Sequence, residues 1–143
     1  MYLSSALIPW NHIHPVLVHF TTALLPVSFA SDVFGKFTQR YSLTPAAWWM
    51  LFYGAIATPM TVVAGWIWAG EVAGPGGISS IPGLATHQWL GTGLVFGFIV
   101  LAVWRGRIFM RGRKPGAAYF AVAAGIVAAL MYQGYIGGKM TVG

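Results

Sequence analysis

The stretch "PVLVHFTTALLPVSFASDVFGK" (Pro15–Lys36) decides the fold. It is apolar over nearly its whole length and carries its acid and its base only near the end. A transmembrane helix needs about 20 predominantly apolar residues, and this stretch supplies them. Three further windows have the same character: Pro45–Gly70, Thr86–Arg105 and Gly116–Gly137. The expectation is one all-α domain over residues 1–143, an integral membrane four-helix bundle with spans at 15–36, 45–70, 86–105 and 116–137. Pro15, Pro45 and Pro115 stand where a helix start tolerates a missing N–H, and "GEVAGPGGISSIPG" (Gly70–Gly83) is too rich in Gly and Pro for a helix. The tryptophans at 10, 48, 49, 66, 68, 89 and 104 fall near the span ends, where interfacial anchors belong.

Composition agrees with the spans. Of 143 residues, 57% are hydrophobic and 7% charged, where a soluble domain carries about a quarter charged residues. The formal charge of +6 would suggest nucleic acid in a soluble protein, but here the cations lie beside apolar runs and read as membrane topology. The absence of cysteine excludes disulfides, thiolate metal sites, iron–sulfur clusters and c-type haem attachment. Lys36 and Arg40 follow span 1; Arg105, Arg107, Arg111, Arg113 and Lys114 follow span 3; only Lys139 lies on the other side. The positive-inside rule then puts both termini outside, in the periplasm of a bacterium whose cytoplasmic (inner) membrane the chain crosses. A cleaved signal peptide ending at "SFA" (Ser28–Ala30) is not expected, since no basic segment precedes the apolar run.

This topology sorts the polar side chains. His12, His14 and His19 enter span 1 from the outer face, His87 begins span 3 on that same face, and Glu71 and Lys139 lie there too. His14 precedes Pro15 and is biased away from helical geometry, which puts it at the interface. His19 lies four residues past Pro15, about 6 Å deeper, and is expected to face the bundle interior because an unpaired polar group in hydrocarbon is costly. Spans 1 and 3 are diagonal in an up-down bundle, roughly 12–14 Å apart, which leaves room between His19 and His87 for a metal in a flat macrocycle. Ala23 and Gly91, one turn below each, would leave volume for the ring. Equally, the histidines could only hydrogen-bond neighbouring helices. At the inner face Asp32 is expected to pair with Lys36 across a helical turn. Ala117, Ala121, Gly125 and Ala129, leading to Gln133 and Gly137, and the pair Gly93 and Gly97 are expected to be packing seams. Pro59 is expected to kink span 2, with threonines such as Thr58 taking up freed carbonyls.

"IHPVLVHF" (Ile13–Phe20) resembles the H-P-x-x-V-H-F-P opening of the bacterial membrane family named domain of unknown function 2231. The resemblance continues in Asp32, in "THQWLG" (Thr86–Gly91) and in "GYIGGKM" (Gly134–Met140), and so covers most of the chain in order. Thr21 stands where the family has proline, and the family's Val/Gly-rich tail would continue where this sequence has Gly143, which points to a partner covering that end. The resemblance implies a four-span inner-membrane protein whose histidines bind haem, and it singles out His14, His19 and His87.

Three functions are compatible with these features. In the first, a b-type haem is ligated by His19 and His87, with His14 supporting it or sharing a quinone site. Lys139 and the backbone N–H groups of Gly137 and Gly138 would receive its propionates, and electrons would pass to quinone or a periplasmic redox protein. In the second, His12, His14, His19 and Met140 hold copper at the outer face. His14 and His19 are roughly 140° apart around a helix, so this requires an unwound first turn. In the third, the chain is a cofactor-free subunit of a larger membrane complex, contacting lipid through its aromatic and basic residues. No acidic or nucleophilic pair for hydrolysis is present, so an electron-transfer or accessory subunit is expected rather than a stand-alone enzyme. A single-subunit transporter lacks support, since the spans carry no mid-membrane charges.

Overall fold

In the computed structural model, which describes residues 10–40 and 42–142, the chain forms four long antiparallel helices. These are α1 (Trp10–Thr38), α2 (Leu43–Ala73), α3 (Leu84–Met110) and α4 (Ala117–Val142). All four are long and apolar enough to cross a membrane. Every helix but α4 begins before the apolar window predicted for it, and all four run beyond its end. Hydropathy marks the hydrocarbon layer, whereas helical hydrogen bonding continues into the interface. Position 143, where a further tail was expected, lies outside the described residues.

Each helix packs on its chain neighbours, most extensively α1 on α2, and α4 closes back more lightly onto α1. The result is a square with α1 and α3 on one diagonal. α1 starts and α4 ends at one end, which carries all four histidines and is called the histidine end below. The opposite end carries the α1–α2 and α3–α4 connections and is the cation end. At the histidine end, α2 and α3 are joined by two short 3₁₀ turns, Gly74–Gly76 and Ile78–Ser80. Gly74, Gly77 and Gly83 there take positive φ, which side-chain-bearing residues seldom adopt.

The core is a column of Leu25, Leu51, Leu94, Phe98, Leu101 and Leu130, with Tyr119 at the cation end. α1 and α2 approach closely because Gly54 has no side chain: a Cβ there would lie 2.6 Å from Leu25 Cδ2. Ser28 Oγ donates 2.7 Å to the Ala47 carbonyl and ties the same pair of helices.

Four local expectations change. Pro15 lies inside α1 rather than at its first position, so His14 is helical. The carbonyl deprived of its partner is that of Asn11, in the first turn, where water can satisfy it. Asp32 pairs with Arg105 of α3 and not with Lys36. The ammonium of Lys36 instead lies 4.8 Å over the Phe120 ring. The small residues Ala117, Ala121 and Gly125 face outward, while Tyr119, Ala123 and Leu130 carry the packing of α4. Gly97 does pack, against Ile126, but Gly93 meets nothing within 4 Å. Thr58 Oγ1 donates 2.7 Å to Gly54 O, not to Ala55, whose carbonyl faces Pro59.

Candidate functional site

α1 buries a single stripe of Thr21, Leu25, Ser28 and Asp32. These positions are spaced four, three and four apart, the rhythm of one helix face in a left-handed bundle. His14 lies seven residues before Thr21 and continues that stripe. His19 does not. The imidazole of His14 is therefore half-buried against α2, whereas His19 is exposed on the outside of α1 beside the equally exposed Ala23. Its Nδ1 lies 2.6 Å from the Pro15 carbonyl of its own helix, which satisfies one polar atom without a neighbour. The expectation that His19 faces inward is corrected in this way: a backbone carbonyl one turn back on its own helix, using its second lone pair, replaces the interhelical partner.

His14 Nδ1 lies 2.9 Å from the carbonyl oxygen of Thr61 on α2. A carbonyl only accepts, so Nδ1 carries the proton and Nε2 keeps its lone pair. The same carbonyl receives the helical N–H of Gly65 one turn later, and it has a second lone pair for the imidazole. Gly65 makes the approach possible, since a Cβ there would lie 2.7 Å from His14 Cε1. Gln88 of α3 donates 2.8 Å to the Gly65 carbonyl, and Trp68 lies 5.7 Å from the His14 ring, so the imidazole sits in a built corner.

His87 repeats the construction on the other side of the bundle. Its Nδ1 lies 3.2 Å from the Gln133 carbonyl on α4, and a Cβ on Gly137 would lie 2.8 Å from its Cε1. "TVVAG" (Thr61–Gly65) and "QGYIG" (Gln133–Gly137) thus share one function: a carbonyl that receives the imidazole, and a glycine four residues on that lets the ring in. The difference lies at Nε2. The Gln133 amide Nε2 lies 3.3 Å from His87 Nε2 and donates to it, reaching over Gly91, whose missing Cβ leaves the space. The volume below His87 expected for a ring is thus taken by Gln133. His14 Nε2 makes no hydrogen bond among the described residues.

The remaining outer-face candidates do not join this site. His12 is exposed, and Lys139 is exposed with its ammonium 4.8 Å over the Tyr135 ring of its own helix. Among the described residues no group of three or more His, Asp or Glu side chains is positioned to hold a metal ion, so the copper site of His12, His14 and His19 with Met140 is not assembled. Helical geometry through Pro15 keeps His14 and His19 on different faces, which is the physical reason.

A second polar centre, at the cation end, escapes a reading of Arg105 as a loop cation. Arg105 is 0% exposed and makes a two-pronged contact with Asp32, Nε to Oδ2 at 2.8 Å and Nη2 to Oδ1 at 2.7 Å. Tyr119 donates to Asp32 Oδ2 at 3.2 Å, and Thr44 O accepts from Arg105 Nη2 at 3.2 Å. All four helices meet here. The sequence held a signal: Arg105 continues the buried stripe Gln88, Gly91, Leu94, Phe98 and Leu101 of α3.

The family described as predicted membrane protein (DUF2231) matches residues 11–143. The chain belongs to this family. No curated protein and no solved structure matches it.

Proposed function

We propose that this DUF2231 membrane protein is an electron-transfer subunit that carries a b-type haem at its histidine end, with His14 and His87 as the residues that would hold it. The observation that supports it is the matched setting of the two inward imidazoles. Each is held at Nδ1 by a neighbouring helix's carbonyl, the second contact that orients ligating histidines and fixes their tautomer. Each thereby presents a neutral Nε2, the form that an axial ligand requires. In this reading His14 takes the role that the sequence suggests for His19, because His14 is half-buried against α2 and His19 is exposed. When bound, the haem would supply one-electron chemistry at a potential set by its two imidazoles and the surrounding apolar core.

The chain's own residues do the rest. Thr61 and Gln133 orient the rings, Gly65 and Gly137 let them seat, and Trp68 shields His14. Gln133 has a second role: its amide donates to His87 Nε2 and would have to turn away for that nitrogen to bind a ligand. With the cations inside, this end faces the periplasm, where quinone or a soluble redox protein would exchange electrons with it. Lys139, exposed and beyond the last inward turn, suits the docking of an acidic partner or a propionate.

The test is a reduced-minus-oxidised spectrum of the protein purified from cells with adequate haem. A b-type band that survives His19→Ala and is lost in both His14→Ala and His87→Ala is expected. Absence of the band in the parent protein would reject the proposal, as would its loss in His19→Ala alone.

The Gln133 cap favours a second reading, in which the imidazoles are interhelical locks in a cofactor-free subunit of a larger complex. In that case His14→Ala and His87→Ala lower stability in a protein with no haem band, and copurifying subunits identify the complex.

A further inference from the structure

The cation end holds a feature unrelated to the histidines. Between the end of α1 and the starts of α2 and α4 lies a cleft of about 40 Å³, lined by Asp32, Lys36, Arg40, Thr44 and Lys114. Asp32 is already bound by Arg105. The other acidic side chain, Glu71, lies at the opposite end of the bundle. Three cations therefore surround a cleft whose one carboxylate is neutralised from below. Lys36 also lines a second space, an open groove of about 360 Å³ between α1 and α4, walled by Phe29, Val33, Phe37, Phe120, Ala121 and Ala124. On α1 the groove runs from Phe37 back to Phe29, about 12 Å from the interface toward the bilayer centre at 1.5 Å per residue. The lighter packing of α4 on α1 leaves it open to lipid.

We infer that these two spaces form one binding site for an anionic phospholipid, its phosphate in the Lys36–Arg40–Lys114 cleft and an acyl chain in the groove. Only a molecule with an anionic head joined to an apolar tail fills both. Lys36 sits at the junction, its ammonium over Phe120 and its stem along the groove, the placement by which a lysine bridges hydrocarbon and headgroup layers. The outward-facing Ala121 and Ala124 then have a purpose: their small size leaves the tail its channel. A helix from a second copy would cover the groove but would supply no anion to the cleft.

Native mass spectrometry of the detergent-purified chain, titrated with dioleoylphosphatidylglycerol or dioleoylphosphatidylcholine, tests the site. One retained phosphatidylglycerol per chain is expected, with phosphatidylcholine held much more weakly. Replacing Lys36, Arg40 and Lys114 together by Gln should weaken retention about a hundredfold, three cations contributing about fivefold each. The matched triple replacement of Arg107, Arg111 and Arg113, which removes the same charge from outside the cleft, should change it little. Ala124→Trp should weaken diacyl lipid while leaving binding of glycerol phosphate unchanged. Equal losses in the two triple variants would overturn the proposal in favour of diffuse charge attraction. So would displacement of the lipid by inorganic phosphate at similar concentration, or a dimer whose groove variant dissociates without changing lipid retention.

Discussion

The two ends of the bundle solve the same problem differently. Both bury polar side chains of α1 and α3 in an apolar interior. At the cation end Asp32 and Arg105 neutralise each other, Tyr119 adds a third contact, and charge and hydrogen-bonding capacity are almost wholly used within the network. At the histidine end His14 and His87 each lean on a backbone carbonyl through Nδ1; the Gln133 amide also meets His87 Nε2, whereas His14 Nε2 makes no hydrogen bond among the described residues. An ion pair is a closed arrangement, and an imidazole held by one nitrogen is an open one. The difference is that one end is tied by charge between side chains and the other by imidazoles resting on backbone carbonyls.

Breaking the closed end should have the largest effect. Asp32→Ala strands the Arg105 guanidinium in the interior and should cost about 3–5 kcal/mol, measured by denaturant titration in detergent micelles. If the pair behaved as a surface bridge, the loss would stay below about 1 kcal/mol and the contrast between the ends would collapse. Asp32→Leu combined with Arg105→Met should recover much of that loss, because no charge is left alone. Tyr119→Phe removes one hydrogen bond to a charged acceptor and should cost about 1.5–3 kcal/mol in the same assay.

At the open end, Gly65→Ala places a methyl against His14 Cε1 and should cost about 1–3 kcal/mol through overpacking. Gly93→Ala, where the methyl would meet nothing within 4 Å, is the control and should be neutral or slightly stabilising. The smallest effect is expected for His19→Ala, within about 0.5 kcal/mol, since among the described residues its ring bonds only to its own helix. A larger change there would restore His19 to the interior and undo the choice of His14.

The contrast also explains which residues could be read early. His87 was legible because it opens an apolar span, and in-membrane ionisable groups face inward by default. His19 meets the same criterion and points outward, its ring resting on the carbonyl one turn back on its own helix. His14 reads from the sequence as an interfacial, supporting residue because it precedes a proline, yet its seven-residue spacing to Thr21, and of Thr21 to Ser28, marks the buried face. Gln133, Gly65 and Gly137 had no such mark. Their roles depend on contacts across helices, and a glycine four residues after a carbonyl is ordinary in any membrane span.

The cation nearest to Asp32 in sequence is Lys36, a pairing that an isolated helix would favour by about a few tenths of a kcal/mol. In the folded bundle it meets Arg105, 73 residues away, with better geometry and full burial. Local spacing could propose a partner but could not compare it with one on another helix.

The sequence by itself determined the number of spans, their order, the end that collects the cations and the end that collects the histidines. These follow from apolar length and from charge counted along one dimension. The tertiary structure alone decided which face of each helix turns inward, and so which histidine is a ligand candidate and which acid meets which base. The reason lies in the solvent. In water, an apolar stripe on a polar helix announces its buried face, but helices in lipid are apolar all round. Hydropathy therefore finds the span and says nothing of its rotation, which here is set by Gly54 beneath Leu25, Gly65 beneath His14 and the reach of Arg105 to Asp32.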